Sequence, residues 1–322
     1  MNDPSAPGRR RGQRLVVGCG YLGTRVADRW IATGSRVFGI TRRESRAAEL
    51  AARGIDPVVA DVTAAPGSAA FVAEAIRRLP EIDTVFWAVG FDRSAAASHR
   101  DVHVGGLSAV LDALANGRSV RPRVILSSST GVWGEADGGT VDETTPVHPS
   151  REAGRVLVEA ESLLRAHPLG PGVSLRFAGL YGPGRLPRIA DLQAGRPITA
   201  DPDSWLNMIH ADDAARIVCA IADCAASAGG EGPIPRPLYV VSDGRPVRRR
   251  DWYGRLAELS HSPSPTWDPA APRTRGADKR VNPAMLFRDF DITLEHPDSL
   301  RGIEAIIRGR PLDGHEPLSA AT

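Results

Sequence analysis

The run Leu15-Val16-Val17-Gly18-Cys19-Gly20-Tyr21-Leu22-Gly23 carries three glycines at GxGxxG spacing, after an apolar strand pattern and at the opening of a helical one. That setting suits a nucleotide. Gly18 would make the tight turn, Gly20 would let the backbone approach a pyrophosphate, and Gly23 would let the helix pack close to a sheet. The first N–H groups of the helix, around Tyr21 and Leu22, have no partner within the helix and can face phosphate oxygens. The plainer alternative is a ligand-free glycine turn, and the flanking strand and helix argue against it.

The end of the next strand bears on which nucleotide. A site for NAD wants a carboxylate about twenty residues past the glycine loop, on the ribose 2′-hydroxyl. Here the stretch reads Phe38-Gly39-Ile40-Thr41-Arg42-Arg43, with no acid. Arg42 and Arg43 suit a 2′-phosphate by charge and by bidentate geometry, so NADP(H) is the expected cofactor. Asp61 is expected to face the adenine and Ala88-Val89-Gly90 to line the cofactor, while Cys19 reads as a small apolar filler.

These residues need a scaffold. Short apolar runs at 14–17, 35–40, 56–60, 84–89, 123–127, 173–176 and 238–241 are rich in Val, Ile and Leu, as strands buried on both faces are. Segments 22–33, 69–79, 95–115 and 151–166 are long enough for crossover helices. The alternation predicts an α/β fold, a Rossmann-type doubly wound parallel sheet with a small C-terminal substrate-binding part. The expected division is a mobile N-terminus at 1–12, a nucleotide-binding domain at 13–180, a substrate-binding part at 181–310 from which some elements return to the first domain, and a mobile tail at 311–322. At 322 residues, about two structural units are expected.

Composition excludes several classes. The chain is 42% hydrophobic and 24% charged, which fits neither collagen nor a disordered tail. Forty Lys and Arg against 38 Asp and Glu leave a net charge of +2, so nothing demands nucleic acid. No run of 18 apolar residues predicts a membrane span, the Arg-rich start lacks a signal-peptide h-region, and 3 cysteines suit a reducing cytosol. Lys279 is the only lysine, so a mechanism needing a lysine elsewhere is excluded.

Five ordered motifs then point to a family. Val124 to Gly134, with Ser127-Ser128-Ser129 and Trp133-Gly134, resembles the "SSSxxVYG" strand end of extended short-chain dehydrogenases/reductases, the group of sugar-nucleotide epimerases and dehydratases. Leu175-Arg176-Phe177 with Tyr181-Gly182-Pro183-Gly184 resembles "LRxxxxYGPG", Asn207 to Asp213 resembles "NxIHVDD", Tyr239 to Gly244 resembles "YNVsDg", and Lys279-Arg280-Val281 resembles a late "gKRv" segment. The resemblance spans about 13 to 308. It implies a Ser or Thr and a YxxxK pair, in which Tyr moves the proton and Lys holds the ribose. Ser129 matches the serine. Arg151 stands at the Tyr position and Arg155 at the Lys position, and no tyrosine occurs between Tyr21 and Tyr181. The chain thus resembles an atypical subgroup of the family with a degraded active-site tetrad.

Arginine cannot donate a proton near pH 7, but it can stabilise an anion, and Arg155 can still bond ribose hydroxyls. Ser129, His103, His148, Tyr181 and bound water are the candidate substitutes for the missing acid. His103 has the right side chain by pKa, though a purely structural hydrogen bond from a helix is the favoured reading of it. His99 and His103 have metal-ligand spacing without a third ligand in view, so no metal is expected. Thr130-Gly131 stands where dehydratases of the family carry Asp-Glu, which disfavours 4,6-dehydratase chemistry. Trp133, Trp205 and Leu206 would form an apolar wall or simply core.

The reading is an NADP(H)-dependent oxidoreductase on a small carbonyl or imine, cytoplasmic and, by analogy with relatives, a homodimer through the helices of 95–115 and 151–166. The rival readings are a redox-neutral epimerase, isomerase or cyclase on the same fold, and a non-catalytic NADP(H) sensor.

Overall fold

The computed structural model describes residues 12–63, 68–92, 94–116, 119–134, 136–170, 172–226, 236–268 and 278–309. The termini expected to be mobile lie, apart from Gly12, outside the described residues. In chain order the first half runs β1 (Gln13–Val17), α1 (Tyr21–Ala32), β2 (Arg36–Thr41), α2 (Glu44–Ala52), β3 (Asp56–Val59), α3 (Ser68–Arg77), β4 (Thr84–Trp87), α4 (Leu107–Ala115) and β5 (Arg123–Ser129). The chain continues through β6 (Thr140–Val141), α5 (Glu152–Ala166), β7 (Val173–Phe177), β8 (Gly179–Tyr181), α6 (Ile189–Gln193), β9 (Trp205–Leu206), β10 (Met208–His210) and α7 (Ala211–Ala226). It ends with β11 (Leu238–Val241), β12 (Val247–Arg248), α8 (Arg249–Leu259), β13 (Arg280–Val281), α9 (Ala284–Phe290) and α10 (Ser299–Arg308).

Seven strands form one parallel sheet in the order β11-β7-β5-β4-β1-β2-β3. Each coincides with one of the seven apolar runs. β1 pairs with β2 on one side (Val17 opposite Ile40) and with β4 on the other (Val17 opposite Trp87). The chain reverses its direction of winding between β1 and β4, and open α/β sheets bind ligands at the carboxyl ends of the strands at such a point. Gly18 leaves β1 there, and Ala88 leaves β4.

Two apolar layers hold the helices to the sheet. On one face Leu22, Val26 and Trp30, four residues apart on α1, pack with Ala214, Ile217, Val218 and Ile221 of α7. On the other, Val72 and Ile76 of α3, Leu107, Leu111 and Leu114 of α4 and Leu164 of α5 cover the strands. A third cluster around Tyr181, Leu192, Met208, Trp252, Leu256 and Ile303 is built by the C-terminal elements. Three two-stranded pairings, β8 with β10, β9 with β12 and β6 with β13, tie those elements together.

The helix expected over 95–115 begins at residue 99 and passes through a π-helical stretch, Asp101–Gly106, before becoming α4. The packing there is close. A Cβ on Gly106 would lie 2.1 Å from the carbonyl oxygen of Val62, so this backbone sits directly on the chain that follows β3.

Candidate functional site

A cavity of about 720 Å³ opens at the carboxyl ends of β1, β2 and β4. Gly18, Gly20, Tyr21, Arg42, Arg43, Asp61 and Ala88-Val89-Gly90 all line it, as the sequence pattern predicts. The three glycines have separate reasons. Gly18 has φ +96°, and a Cβ there would lie 2.7 Å from the Val89 nitrogen, so only glycine fits the turn against the end of β4. A Cβ on Gly23 would lie 2.2 Å from the Gly18 carbonyl oxygen. A Cβ on Gly20 would meet nothing within 4 Å. Gly20 is therefore not required by the protein's own packing, which leaves room for a ligand against its backbone. Leu22 and Gly23 stay out of the wall. Leu22 is buried in the core, and the two can contribute only their backbone N–H groups. No side chain caps α1, so the first N–H groups of the helix have no capping side chain. This cradle fits a dinucleotide pyrophosphate.

Four arginines surround the end of β2, each with a different occupation. Arg42 donates to Asp92 at 2.5 Å across the mouth of the cavity. The Asp92 carboxyl is pulled down to about 2, first by hydrogen bonds from Ser94 and then by Arg42. The Arg43 guanidinium has no side-chain partner among the described residues. Arg53 is held by both carboxylate oxygens of Asp28, at 3.2 and 2.6 Å. Arg46 was not singled out by the sequence. It reaches back from α2 and donates to the Cys19 carbonyl oxygen at 3.2 Å and to Thr24 Oγ1 at 3.0 Å. It thus braces the glycine loop from inside the cavity. Cys19 is buried and its thiol is pushed up to about 12, chiefly by desolvation, which fits the filler reading.

The residues expected at the chemistry lie outside this wall, on elements that meet. Ser129 ends β5, and its Oγ accepts the Gly131 N–H at 3.0 Å. Arg151 stands at the N-cap of α5, and its carbonyl accepts the Arg155 N–H at 3.1 Å. Both guanidiniums are exposed. Between them Gly154 lets α5 touch the turn after β5, for a Cβ there would lie 2.6 Å from the Gly131 carbonyl oxygen. Helix α5 also packs against the π-helical stretch that carries His103. Ser129, Arg151, Arg155 and His103 therefore come from adjoining elements.

His103 is buried, its Nδ1 has no partner among the described residues, and it is held down to about 4 by burial first and by His99 second. It is neutral at pH 7, which suits a proton acceptor and not a resting proton donor. Its ring is linked through His99 to Phe91, with centroids 6.1 and 3.5 Å apart. His148 is exposed on the loop before α5.

Tyr181 is a correction. It is 0% exposed, packed edge-on to His210 and Trp252 in the C-terminal cluster, and Gly302 closes on it so tightly that a Cβ would lie 2.2 Å from its hydroxyl. Its pKa is driven far up, chiefly by desolvation. A side chain in that position has no access to a cleft, so it leaves the list of candidate proton donors. Trp133 is likewise buried, with Nε1 donating to the Thr145 carbonyl at 3.1 Å and Arg176 stacked on its ring. Arg176 and Glu161 form a buried pair at 2.7 Å, which Ser128 joins at 2.6 Å. Asn207 spends its side-chain amide on the backbone of Lys279 and Val281. Trp205 and Leu206 of the expected apolar wall are partly exposed, and Trp205 is flanked by Arg248 at 3.7 Å and Arg280 at 5.7 Å. Lys279 is 5% exposed and donates to the Trp133 carbonyl at 3.1 Å.

Residues 14–233 match the model of the NAD dependent epimerase/dehydratase family. The chain belongs to that family. Membership places it among NAD(P)-dependent enzymes. Protein YeeZ of Escherichia coli (strain K12) is 32% identical over 182 residues, which are 56% of this chain and 60% of YeeZ. The chain thus spans about 60% of the length of the curated relatives it matches. A candidate NAD-dependent epimerase/dehydratase from Methylobacillus flagellatus is 28% identical with a TM-score of 0.71, over 93% of this chain and 99% of that one. The Bordetella bronchiseptica enzyme WbmG, solved in complex with NAD, shares the fold with a TM-score of 0.73 at 17% identity, over 94% of this chain and 96% of that one. No helix among the described residues is long and apolar enough to cross a membrane.

Proposed function

We propose that this chain is an NADP(H)-dependent oxidoreductase acting on a small carbonyl or imine. The observation that carries the reading is the arginine set at the end of β2. Arg42, Arg43 and Arg46 line the cavity where a carboxylate would hold an unphosphorylated ribose. A 2′-phosphate there would meet the unpaired Arg43 directly, and Arg42 after partial release from Asp92. The bound cofactor would supply the hydride. The backbone N–H groups of Tyr21, Leu22 and Gly23 would hold its pyrophosphate.

At the reacting end, Ser129 Oγ would donate a hydrogen bond to the substrate oxygen in exchange for the bond it now accepts. Arg155 would bond the ribose hydroxyls in place of a lysine. Arg151, one turn away, would stabilise negative charge on substrate. Neutral His103 would accept a proton in the oxidising direction and not donate one, so in reduction the proton that follows the hydride onto substrate would come from bound water. We infer a cytosolic homodimer, from the free cysteines and from the analogy for α4 and α5.

One observation favours a redox-neutral epimerase or isomerase as the second reading. The family is one of epimerases and dehydratases, and the side chain that replaces its proton donor is an arginine. Incubation with NADPH and a panel of carbonyls and imines, followed at 340 nm with product analysis, separates the two. Stoichiometric loss of NADPH supports the oxidoreductase. Turnover without NADPH loss supports the second reading. Tight NADPH binding with no turnover in either sense would leave a sensor.

A further inference from the structure

His210, Asp212 and His296 meet where β10, α7 and the segment before α10 come together, beside Tyr181 and Arg25 and outside the wall of the cavity. His210 ends β10, Asp212 is in the first turn of α7, and His296 comes from the segment before α10. The two imidazoles face each other with centroids 3.7 Å apart. A ring nitrogen of each and a carboxylate oxygen of Asp212 lie within 4.8 Å of one another. His210 Nε2 and His296 Nδ1 are buried without a hydrogen-bond partner among the described residues. Stacked histidines with idle nitrogens beside a carboxylate are costly to keep without a ligand. Two imidazoles and one carboxylate are a donor set for borderline divalent ions.

The surroundings hold this geometry. The buried Asp213 carboxylate accepts the backbone N–H groups of Glu295 and His296, both at 2.8 Å, and so pins the His296 segment against His210. Asp213 therefore acts as a positioning residue. The charged groups facing the cluster are Asp212, Asp213 and Glu295 against Arg25, 3.1 Å from Asp212, and Arg216, 3.3 Å from Asp213 and Glu295. Carboxylates outnumber guanidiniums, which favours a cation. His210 Nδ1 now accepts the Asp212 N–H at 3.2 Å and lies 3.8 Å from Asp212 Oδ2. Ligation through Nδ1 would exchange that long hydrogen bond for a metal bond shared with the same residue's carboxylate and leave Nε2 as the protonated nitrogen, so the idle atom that a metal could satisfy is His296 Nδ1. Asp212 and His296 are partly exposed, which gives an ion a way in.

We propose that His210, Asp212 and His296 form a binding site for a divalent transition-metal ion of the zinc class, which ties the segment before α10 to the start of α7. His99 and His103, the pair that the sequence spacing brought forward, lack a third ligand among the described residues.

The test uses the tag-free full chain, stripped with chelator and dialysed. Zn2+ is titrated by calorimetry and Co2+ by visible absorption. The expected result is one Zn2+ per chain at micromolar Kd or tighter, Co2+ ligand-field bands that vanish on adding Zn2+, and a higher Tm with Zn2+. His296→Ala and Asp212→Asn are expected to weaken Zn2+ at least tenfold, and His99→Ala to leave it unchanged. Stoichiometry far below one, or unaltered affinity in folded His296→Ala, overturns the site. Should the variants not fold, crystals of the unaltered protein soaked in Zn2+ decide by anomalous scattering. A peak among the three side chains supports the site, and a peak elsewhere or none overturns it.

Discussion

Arg42 and Asp92 are bound to each other, 2.5 Å apart, at the mouth of the cavity, so the cation nearest the end of β2 already carries a carboxylate. Any anion that uses Arg42 competes with Asp92. Arg43, with no such partner, is the freer of the two. Arg43→Ala should therefore weaken NADPH by about tenfold or more, the cost of one charge-assisted hydrogen bond, and leave NADH within about twofold. Asp92→Ala should strengthen NADPH a few-fold. Calorimetry with both nucleotides checks this, and equal affinity of the unaltered protein for NADPH and NADH would sink the assignment.

Gly20 and Gly23 should respond differently to alanine. The Gly23 variant drives a methyl into the Gly18 carbonyl and should lose about 3 kcal/mol of stability. The Gly20 variant meets nothing within 4 Å among the described residues and should unfold within about 0.5 kcal/mol of the parent. Yet it should bind cofactor at least about tenfold more weakly, because its methyl occupies the ligand's space. Urea unfolding paired with nucleotide titration separates the effects. Undiminished cofactor binding in folded Gly20→Ala would show that no ligand approaches that backbone.

Turnover should not depend on a tyrosine–lysine pair. Ser129→Ala should lower it by about 10²-fold, the magnitude for one lost transition-state donor. Arg155→Lys should keep most cofactor binding. Arg151→Ala should leave cofactor binding nearly intact and impair turnover of anionic substrates. If Ser129→Ala and Arg151→Ala both turn over normally, the reaction takes place elsewhere.

His103 gives a pH dependence of definite sign. Its folded pKa, about 4, lies below the ordinary 6.5, so the unfolded chain binds the extra proton between those values. The contribution to stability is complete above pH 6.5 and is lost as pH falls toward 4, by up to about 3 kcal/mol. His103→Gln should flatten the fall of urea stability between pH 7 and 5. An identical slope in the variant would mean that the histidine is not buried in its neutral form.

The sheet was legible because all seven strands are short Val-, Ile- and Leu-rich runs in a covered parallel sheet, and the glycine loop because its three glycines have three steric causes. Helix α2 and the brace made by Arg46 were not, because nothing in the spacing of Arg46 tells that a turn folds it back onto Cys19. Tyr181 was misread for a related reason. A motif gives the type of a residue, and the closure by Gly302 that buries it comes from a helix far along the chain. The neighbourhood of His210 and His296 was invisible to spacing for the same cause, since only the tertiary fold stacks their rings. At Arg151 and Arg155 the sequence was more direct, because the count of tyrosines and lysines alone excluded the usual pair.

That count has a practical side at Lys279. The only primary amine on any side chain of this protein is 5% exposed and bonded to the Trp133 carbonyl. Acylating reagents and amine cross-linkers should pass over it while β13 stays paired with β6. Modification of Lys279 then becomes a clock for the opening of that pairing, readable by mass in a chain with no other lysine to confuse it.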